Sequence, residues 1–204
     1  MIKLFNEKTI DELIQMVTTN LKKAVYNLPE YQILDDNFNG IISQIREKHK
    51  LHPPIFDMTA RTNKVIIENR SGSFFPLDFD VDRNKSYPCA VVTYTIPFKG
   101  DAALLSIKPK KSAGFNCKAE VTIQSLTFKI PTLYSNENLS EDVQETVKKE
   151  AKLICENLER LNSSLQSEVE KFEKTIDDVI LDFLKKRKEE IDKRKKREDD
   201  LNNL

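Results

Sequence analysis

Three groups of side chains have the residue types and the spacing to do chemistry. The first is His49 with His52. An H-x-x-H pair can set two imidazoles on one helical face, but two ligands do not hold a structural zinc, and no Cys, Asp or Glu cluster lies beside them in the sequence. The pair closes a helical stretch, where imidazole suits the negative end of the helix dipole. No metal and no cofactor is assigned to it. The second group is Asp78, Asp80 and Asp82, followed by Asn84. It resembles the start of a calcium loop, which requires Gly at its sixth position and Glu at its twelfth. Arg83 and Cys89 stand there instead, so the ladder is read as the water-facing side of a strand. Asp78 and Asp80 with Glu120 are the candidate set for a metal-dependent hydrolase or nuclease.

The third group is the segment from Lys99 to Lys118. Five lysines (Lys99, Lys108, Lys110, Lys111 and Lys118) oppose one acid, Asp101, with Gly100, Gly114 and the apolar Phe115 among them. A Lys-rich loop with an aromatic suits phosphate backbones and stacked bases, and it equally suits a protein partner. Lys108, Lys110, Lys111 and Lys118, together with Lys185, Lys186, Arg187 and Lys188, are the candidate polyanion-binding residues. No RNP, KH, zinc-finger or helix-turn-helix signature accompanies them. G-x-S-x-G, P-loop and G-x-G-x-x-G patterns are missing too, so no catalytic residue is assigned.

The elements that position these groups follow from hydrophobic periodicity. Thr9 and Glu12 form a capping box ahead of Ile10, Leu13, Ile14, Val17, Leu21, Val25 and Leu28, which mark a helix over about 9–28. A second helix over about 35–50 carries Leu34, Phe38, Ile41, Ile42 and Ile45, with Asp35 or Asp36 as its cap. Between about 55 and 131 the period changes to two, and four to six short antiparallel strands are expected. Lys64–Glu68, Leu77–Val81 and Tyr87–Phe98 are the strand-like runs. Ala119–Ile123 and Leu126–Ile130 are two more, out of phase with each other, which requires a bulge or tight turn at Gln124-Ser125. One face of this sheet is expected to pack on the N-terminal helices.

Residues 140–204 read as one long helix opened by Ser140, Glu141 and Asp142. No Pro or Gly interrupts it. Val143, Ile154, Leu165 and Ile176 recur every eleven residues, as do Val147, Leu158, Val169, Ile180 and Ile191, and Leu161, Phe172 and Phe183. Eleven residues are three turns at about 3.67 per turn, so the stripe holds one face with little supercoiling. A continuous helix would be roughly 95 Å long, with Asn162-Ser163-Ser164 as its weak point. The stripe must meet a second copy, another protein or the chain's own N-terminal helices. Ile154, Leu158, Leu161, Leu165, Val169, Phe172, Ile176 and Ile180 are its candidate interface.

The expected fold is therefore α+β: a 1–139 domain with an N-terminal helical pair and a small antiparallel sheet, then a coiled-coil-like 140–204 arm. Residues 140–184 hold twelve acidic and six basic side chains, and 185–197 hold nine basic and three acidic. The net charge of the 204 residues is zero, which argues against a general polyanion binder. No apolar run is long enough for a membrane span. The N-terminus lacks the h-region of a signal peptide. Cys89, Cys117 and Cys155 are too few and too scattered for a disulfide framework, so a cytoplasmic setting is expected. The function expected first is non-enzymatic interaction or assembly, with a β-rich recognition head and a helical arm for self-association or partner docking. The alternatives are a nucleic-acid-binding accessory protein, using the lysine loop and the basic helix tip 185–197, and the metal-dependent hydrolase.

Overall fold

Thr9 starts the first helix as its spacing to Glu12 predicts. Its hydroxyl accepts the Glu12 N–H at 3.2 Å, and the Glu12 carboxylate accepts the Thr9 N–H at 2.6 Å. Two orphan amides are satisfied together, and the bonds from Thr9 hold the Glu12 carboxyl below its usual range. In this computed structural model every residue is described except Asp36, Ala113, Asn203 and Leu204. The alternative cap Asp36 and the last two residues of the expected arm lie outside the described residues. The helices are α1 (Ile10–Tyr26), α2 (Glu30–Leu34), α3 (Phe38–His49), α4 (Glu141–Glu173) and α5 (Ile176–Asn202). The main sheet has six antiparallel strands: β1 (Ile2–Lys3), β2 (Ile55–Phe56), β3 (Thr62–Ser71), β4 (Ser86–Lys99), β5 (Lys118–Val121) and β6 (Ser125–Pro131). The fold is α+β. The expected N-terminal pair is three helices, because Pro29 is fixed in an extended conformation and a short separate helix starts after it.

The C-terminal run is helical from Glu141 to Asn202 apart from a turn at Lys174-Thr175. The interruption is not at Asn162–Ser164. There, the Asn162 Nδ2 donates inward to the Pro54 carbonyl at 2.6 Å, and the Ser163 hydroxyl bonds the Glu159 carbonyl at 2.8 Å, so the helix continues. At Thr175 the hydroxyl donates to the Phe172 carbonyl at 2.8 Å, and the Thr175 carbonyl accepts from Val179 at 3.1 Å. Asp177 and Asp178 follow in the first turn of α5, where acids suit the helix dipole.

The chain divides into two compact units, each discontinuous in sequence. One comprises residues 8–52 and 165–204, and is helical. Here α5 packs on α1, α2 and α3. Leu13, Val17, Leu21 and Val25 of α1 are buried, as are Ile33, Ile45, Leu165, Val169, Phe172, Ile176, Ile180 and Leu184. Each such side chain stabilises by about 1.5–3 kcal/mol on burial. Arg187 fastens the end of α1. Its guanidinium donates to the carbonyls of Val25 and Leu28 and lies 5.8 Å from the Tyr26 ring centroid. The Val25 carbonyl, in the last turn of α1, also accepts the Leu28 N–H at 3.2 Å, and Leu28 lies just past the helix end. Arg187→Lys keeps the charge but loses the planar fork, and should lower the urea-unfolding free energy by about 1–2 kcal/mol.

The other unit comprises residues 1–7 and 53–164. Its strand order is β1-β5-β6-β4, and the far side of β4 is shared by β3 and β2. Ala90, Val92, Tyr94, Ile96 and Phe98 of β4 share a face with Leu126, Phe128 and Ile130 of β6 and with Val65 and Ile67 of β3. The first half of α4 covers that face: Val147 and Ala151 wall cavities with Val92, Tyr94 and Ile130. The helix over this sheet is therefore α4, where the sequence suggested the N-terminal helices. On the opposite face Glu68 accepts from Lys129 at 2.7 Å and from Arg70 at 2.9 Å. The Lys129 bond is the main reason the Glu68 carboxyl lies below its usual range. Cys89, Val91 and Thr93 are buried on this polar face.

The segment between β3 and β4 is not the alternating strand read from Leu77, Phe79 and Val81. It is an irregular loop organised by Arg83, whose guanidinium donates to the carbonyls of Gly72 at 2.9 Å, Phe75 at 2.5 Å and Pro76 at 2.9 Å. The Phe75 ring meets Phe74, Phe79 and Tyr87 at 5.6–5.9 Å, and the Tyr87 hydroxyl accepts the Asp82 N–H at 2.8 Å. Three carbonyls with no ladder partner were available to one guanidinium, and a regular strand would have left that fork without them.

Candidate functional site

A concavity of the sheet unit lies between β3, β4 and α4. A cavity of about 660 Å³ is walled by Asn63 and Val65 of β3, Val92 and Tyr94 of β4, and Gln144, Val147 and Lys148 of α4. A second of about 440 Å³ adjoins it through the shared residues Arg61, Tyr94 and Lys148, and runs to Met58, Ala151 and Cys155. Small side chains at 151 and 155 leave room beside the sheet. Together the two make one groove with an apolar floor and a polar rim.

Arg61 and Tyr94 form its middle. The Tyr94 ring is fixed by stacking on Phe128, with centroids 5.3 Å apart and planes 16° from parallel. The Arg61 guanidinium lies 5.8 Å from the Tyr94 ring centroid, and its Nη1 donates to the Cys155 Sγ at 3.2 Å. Burial pushes the Tyr94 hydroxyl up, although the Arg61 charge works the other way, so it stays a protonated donor at neutral pH. Lys148 stands on the α4 wall, bonded to Glu145 at 2.9 Å, and that bond raises its pKa. A permanently charged guanidinium over an aromatic floor, with a hydroxyl donor beside it, suits a ligand that joins an apolar body to a carboxylate or phosphate.

The residues singled out from the sequence lie elsewhere. Asp78, Asp80 and Asp82 are exposed on the Arg83 loop, and Glu120 is exposed on β5, 3.9 Å from Lys129. Among the described residues no three His, Cys, Asp or Glu side chains are grouped to hold a metal ion. His49 ends α3, half-buried, and burial lowers its pKa. Lys108, Lys110, Lys111 and Lys118 are all exposed, and Lys118 lies directly opposite Lys3 on β1. Of the helix-tip residues, Lys186 bonds Asp182 at 2.6 Å and Arg187 is used within the fold, while Lys185 is exposed and Lys188 half-buried.

The candidate assembly stripe is covered by the chain itself. Leu158 and Leu161 are fully buried in the sheet unit, and Leu165, Val169, Phe172, Ile176 and Ile180 are buried in the helical unit. Ile154 is half-buried. Among the described residues no helix is long and apolar enough to cross a membrane. Sequence reasoning missed Arg61, which lies outside any periodic run, and missed Ala151 and Cys155, whose spacing of four on α4 is a usable signal of close helix approach. Compared with protein-family models, with curated proteins and with solved structures, the chain matches none of them.

Proposed function

We propose that this chain is a non-enzymatic interaction protein whose sheet unit is the recognition head, and that the groove beneath α4 takes a segment of a partner protein that presents an apolar side chain next to a carboxylate. The observation that carries this is Arg61, held over Tyr94 at a groove whose floor is apolar (Val65, Val92, Val147 and Ala151) and whose rim is polar. The charge selects an acid, and the floor rewards an apolar neighbour. The three free thiols support a reducing, cytoplasmic setting. The reading is tested with a displayed peptide library, followed by titration of a selected Glu-containing peptide and its Gln counterpart. The Glu peptide should bind more tightly than the Gln peptide, and Arg61→Ala should weaken it by about tenfold or more, corresponding to roughly 1.5–3 kcal/mol for a charged hydrogen bond. Equal affinity for both peptides, or no change in Arg61→Ala, rejects it.

A second reading rests on a different observation. Lys3 and Lys118 face each other across neighbouring strands, a repulsive arrangement that an anion would relieve. With Lys108 and Lys111 they support polyanion binding, and the exposed helix-end residues Lys193, Lys195, Lys196 and Arg197 offer a second basic patch. The nucleic-acid form of this reading requires affinity for a DNA or RNA oligonucleotide that falls steeply with salt. A flat salt response removes it.

A further inference from the structure

β3 is an edge strand with one side unused. Its ten residues pair with β4 and with no other strand among the described residues. Which backbone groups are left over follows from the hydrogen bonds at both ends of β4. The N–H groups of Ala90 and Phe98 donate to the carbonyls of Tyr134 and Gln124, on the β6 side, whereas the Pro97 carbonyl accepts from Asp57 on the other side. Even-numbered residues of β4 thus address β6, and odd-numbered ones address β3. The register sets Val91 opposite Ile66 and Cys89 opposite Glu68. The even-numbered residues of β3 are therefore spent on β4, and Asn63, Val65, Ile67 and Asn69 turn their N–H and C=O groups outward. The register runs without a bulge from Thr62 to Ser71, the strand contains no Pro, and Ile67 remains 40% exposed at its centre. Such an edge is a template for another strand.

We propose that a second copy of this chain supplies that strand, with β3 pairing antiparallel to its own copy about a two-fold axis through Ile66. Charge selects the register. With Ile66 opposite Ile66, Lys64 faces Glu68 of the second copy, and the same contact repeats across the axis. Val65 then faces Ile67, and Asn63 faces Asn69. An axis at Lys64 or Glu68 would set like charges face to face, and one at Ile67 would set Lys64 against Arg70. Lys64 is exposed, and among the described residues it forms no ion pair within its own chain. Glu68 is held in place by Lys129 and Arg70 and has acceptor capacity to spare. An axis perpendicular to the sheet keeps both groove faces on one side, so Val65 and Ile67 of each copy continue the floor of the other. The pairing does not depend on what the groove binds.

Sedimentation velocity of the full chain over a range of concentrations should show a reversible monomer–dimer equilibrium. Ile67→Pro removes an outward N–H without touching the β4 ladder, and should leave the protein monomeric. Lys64→Glu puts two carboxylate pairs across the axis and should weaken the dimer about tenfold or more. Cross-linking gives a readout that does not depend on destabilising the strand. Ile66 faces its copy at a non-hydrogen-bonded position, where Cα atoms lie about 4.5 Å apart, within disulfide reach. Oxidised Ile66→Cys should run as a covalent dimer, whereas Thr62→Cys, which faces Arg70, should not. The native cysteines are all buried and do not compete. A chain that stays monomeric at every concentration overturns the proposal, as does a dimer that Ile67→Pro and Lys64→Glu leave intact and Ile66→Cys fails to cross-link. Outward β3 amides that gain protection from hydrogen exchange only when an unrelated strand-forming peptide is added would give the edge to a different chain, and would overturn it too.

Discussion

Leu165→Asp is expected to unfold the helical unit without dissociating any oligomer. Leu165 is fully buried, on the same helix face as Val169 and Phe172, which are buried with it. Truncating a buried leucine to alanine alone costs about 3–5 kcal/mol. A carboxylate in the same place adds the cost of an unpaired buried charge, against a total stability of about 5–15 kcal/mol for a domain. Urea unfolding followed by circular dichroism, with light scattering on the same samples, separates the outcomes. Leu165→Ala should shift the midpoint at unchanged mass, and Leu165→Asp should lose much of its helicity before urea is added. A Leu165→Asp protein that keeps its helicity and midpoint but halves its mass would mean that the stripe faces a second copy.

The other large effect is expected at Gly72. This residue is buried, and a Cβ there would overlap the Asp82 carbonyl oxygen, lie 2.9 Å from the Asp82 carbonyl carbon and 3.0 Å from the Arg83 Cα. All three are backbone atoms, so no side-chain rotation relieves the clash. The strand end cannot retreat easily either, because the Gly72 N–H donates to the Lys85 carbonyl at 2.7 Å and the Gly72 carbonyl accepts from Arg83. Gly72→Ala should therefore destabilise the sheet unit by about 2–4 kcal/mol. Arg83→Ala, which frees three carbonyls of the same loop, should be similarly costly. The double variant should lose clearly less than the sum, since either change alone already releases the loop. Additive losses in a double-mutant cycle would show that the two residues support different parts of the structure.

Features governed by neighbours in sequence were legible without the structure. The Thr9–Glu12 box and the alternation from Tyr87 to Phe98 depend on contacts within a few residues, and each lies where its pattern put it. The Asp78–Asp82 ladder has the same alternation as a strand, but the Arg83 guanidinium ties the carbonyls ahead of it and the Tyr87 hydroxyl holds the Asp82 N–H, and no periodicity reveals either. Residues 140–204 read as one helix whose weak point, where propensity is lowest, is Asn162–Ser164. There a long-range bond to Pro54 keeps the helix intact, while at Thr175 a capping side chain followed by two acids ends one helix and begins another. The apolar stripe marks residues that the chain itself buries, Ile154 only in part, but a periodicity describes one surface and does not say what covers it. The groove was the least legible feature, since Arg61, Tyr94 and Cys155 belong to three separated segments.

The interleaving of the two units has a consequence for synthesis on the ribosome. Ile2 finds its partner in Ala119, and the helices between Ile10 and His49 find theirs in α5, the last element described. During synthesis α1, α2 and α3 therefore wait for residues 176–202 with part of their apolar surface uncovered, and Ile2 and Lys3 wait for Lys118 and Ala119. Contacts this distant in sequence make closure slow and leave the nascent chain open to aggregation. A chain arrested before residue 165 would carry α1 and α3 with each other but without α5, which packs on both, and such arrested chains should be bound by chaperones far more strongly than a chain that includes α5.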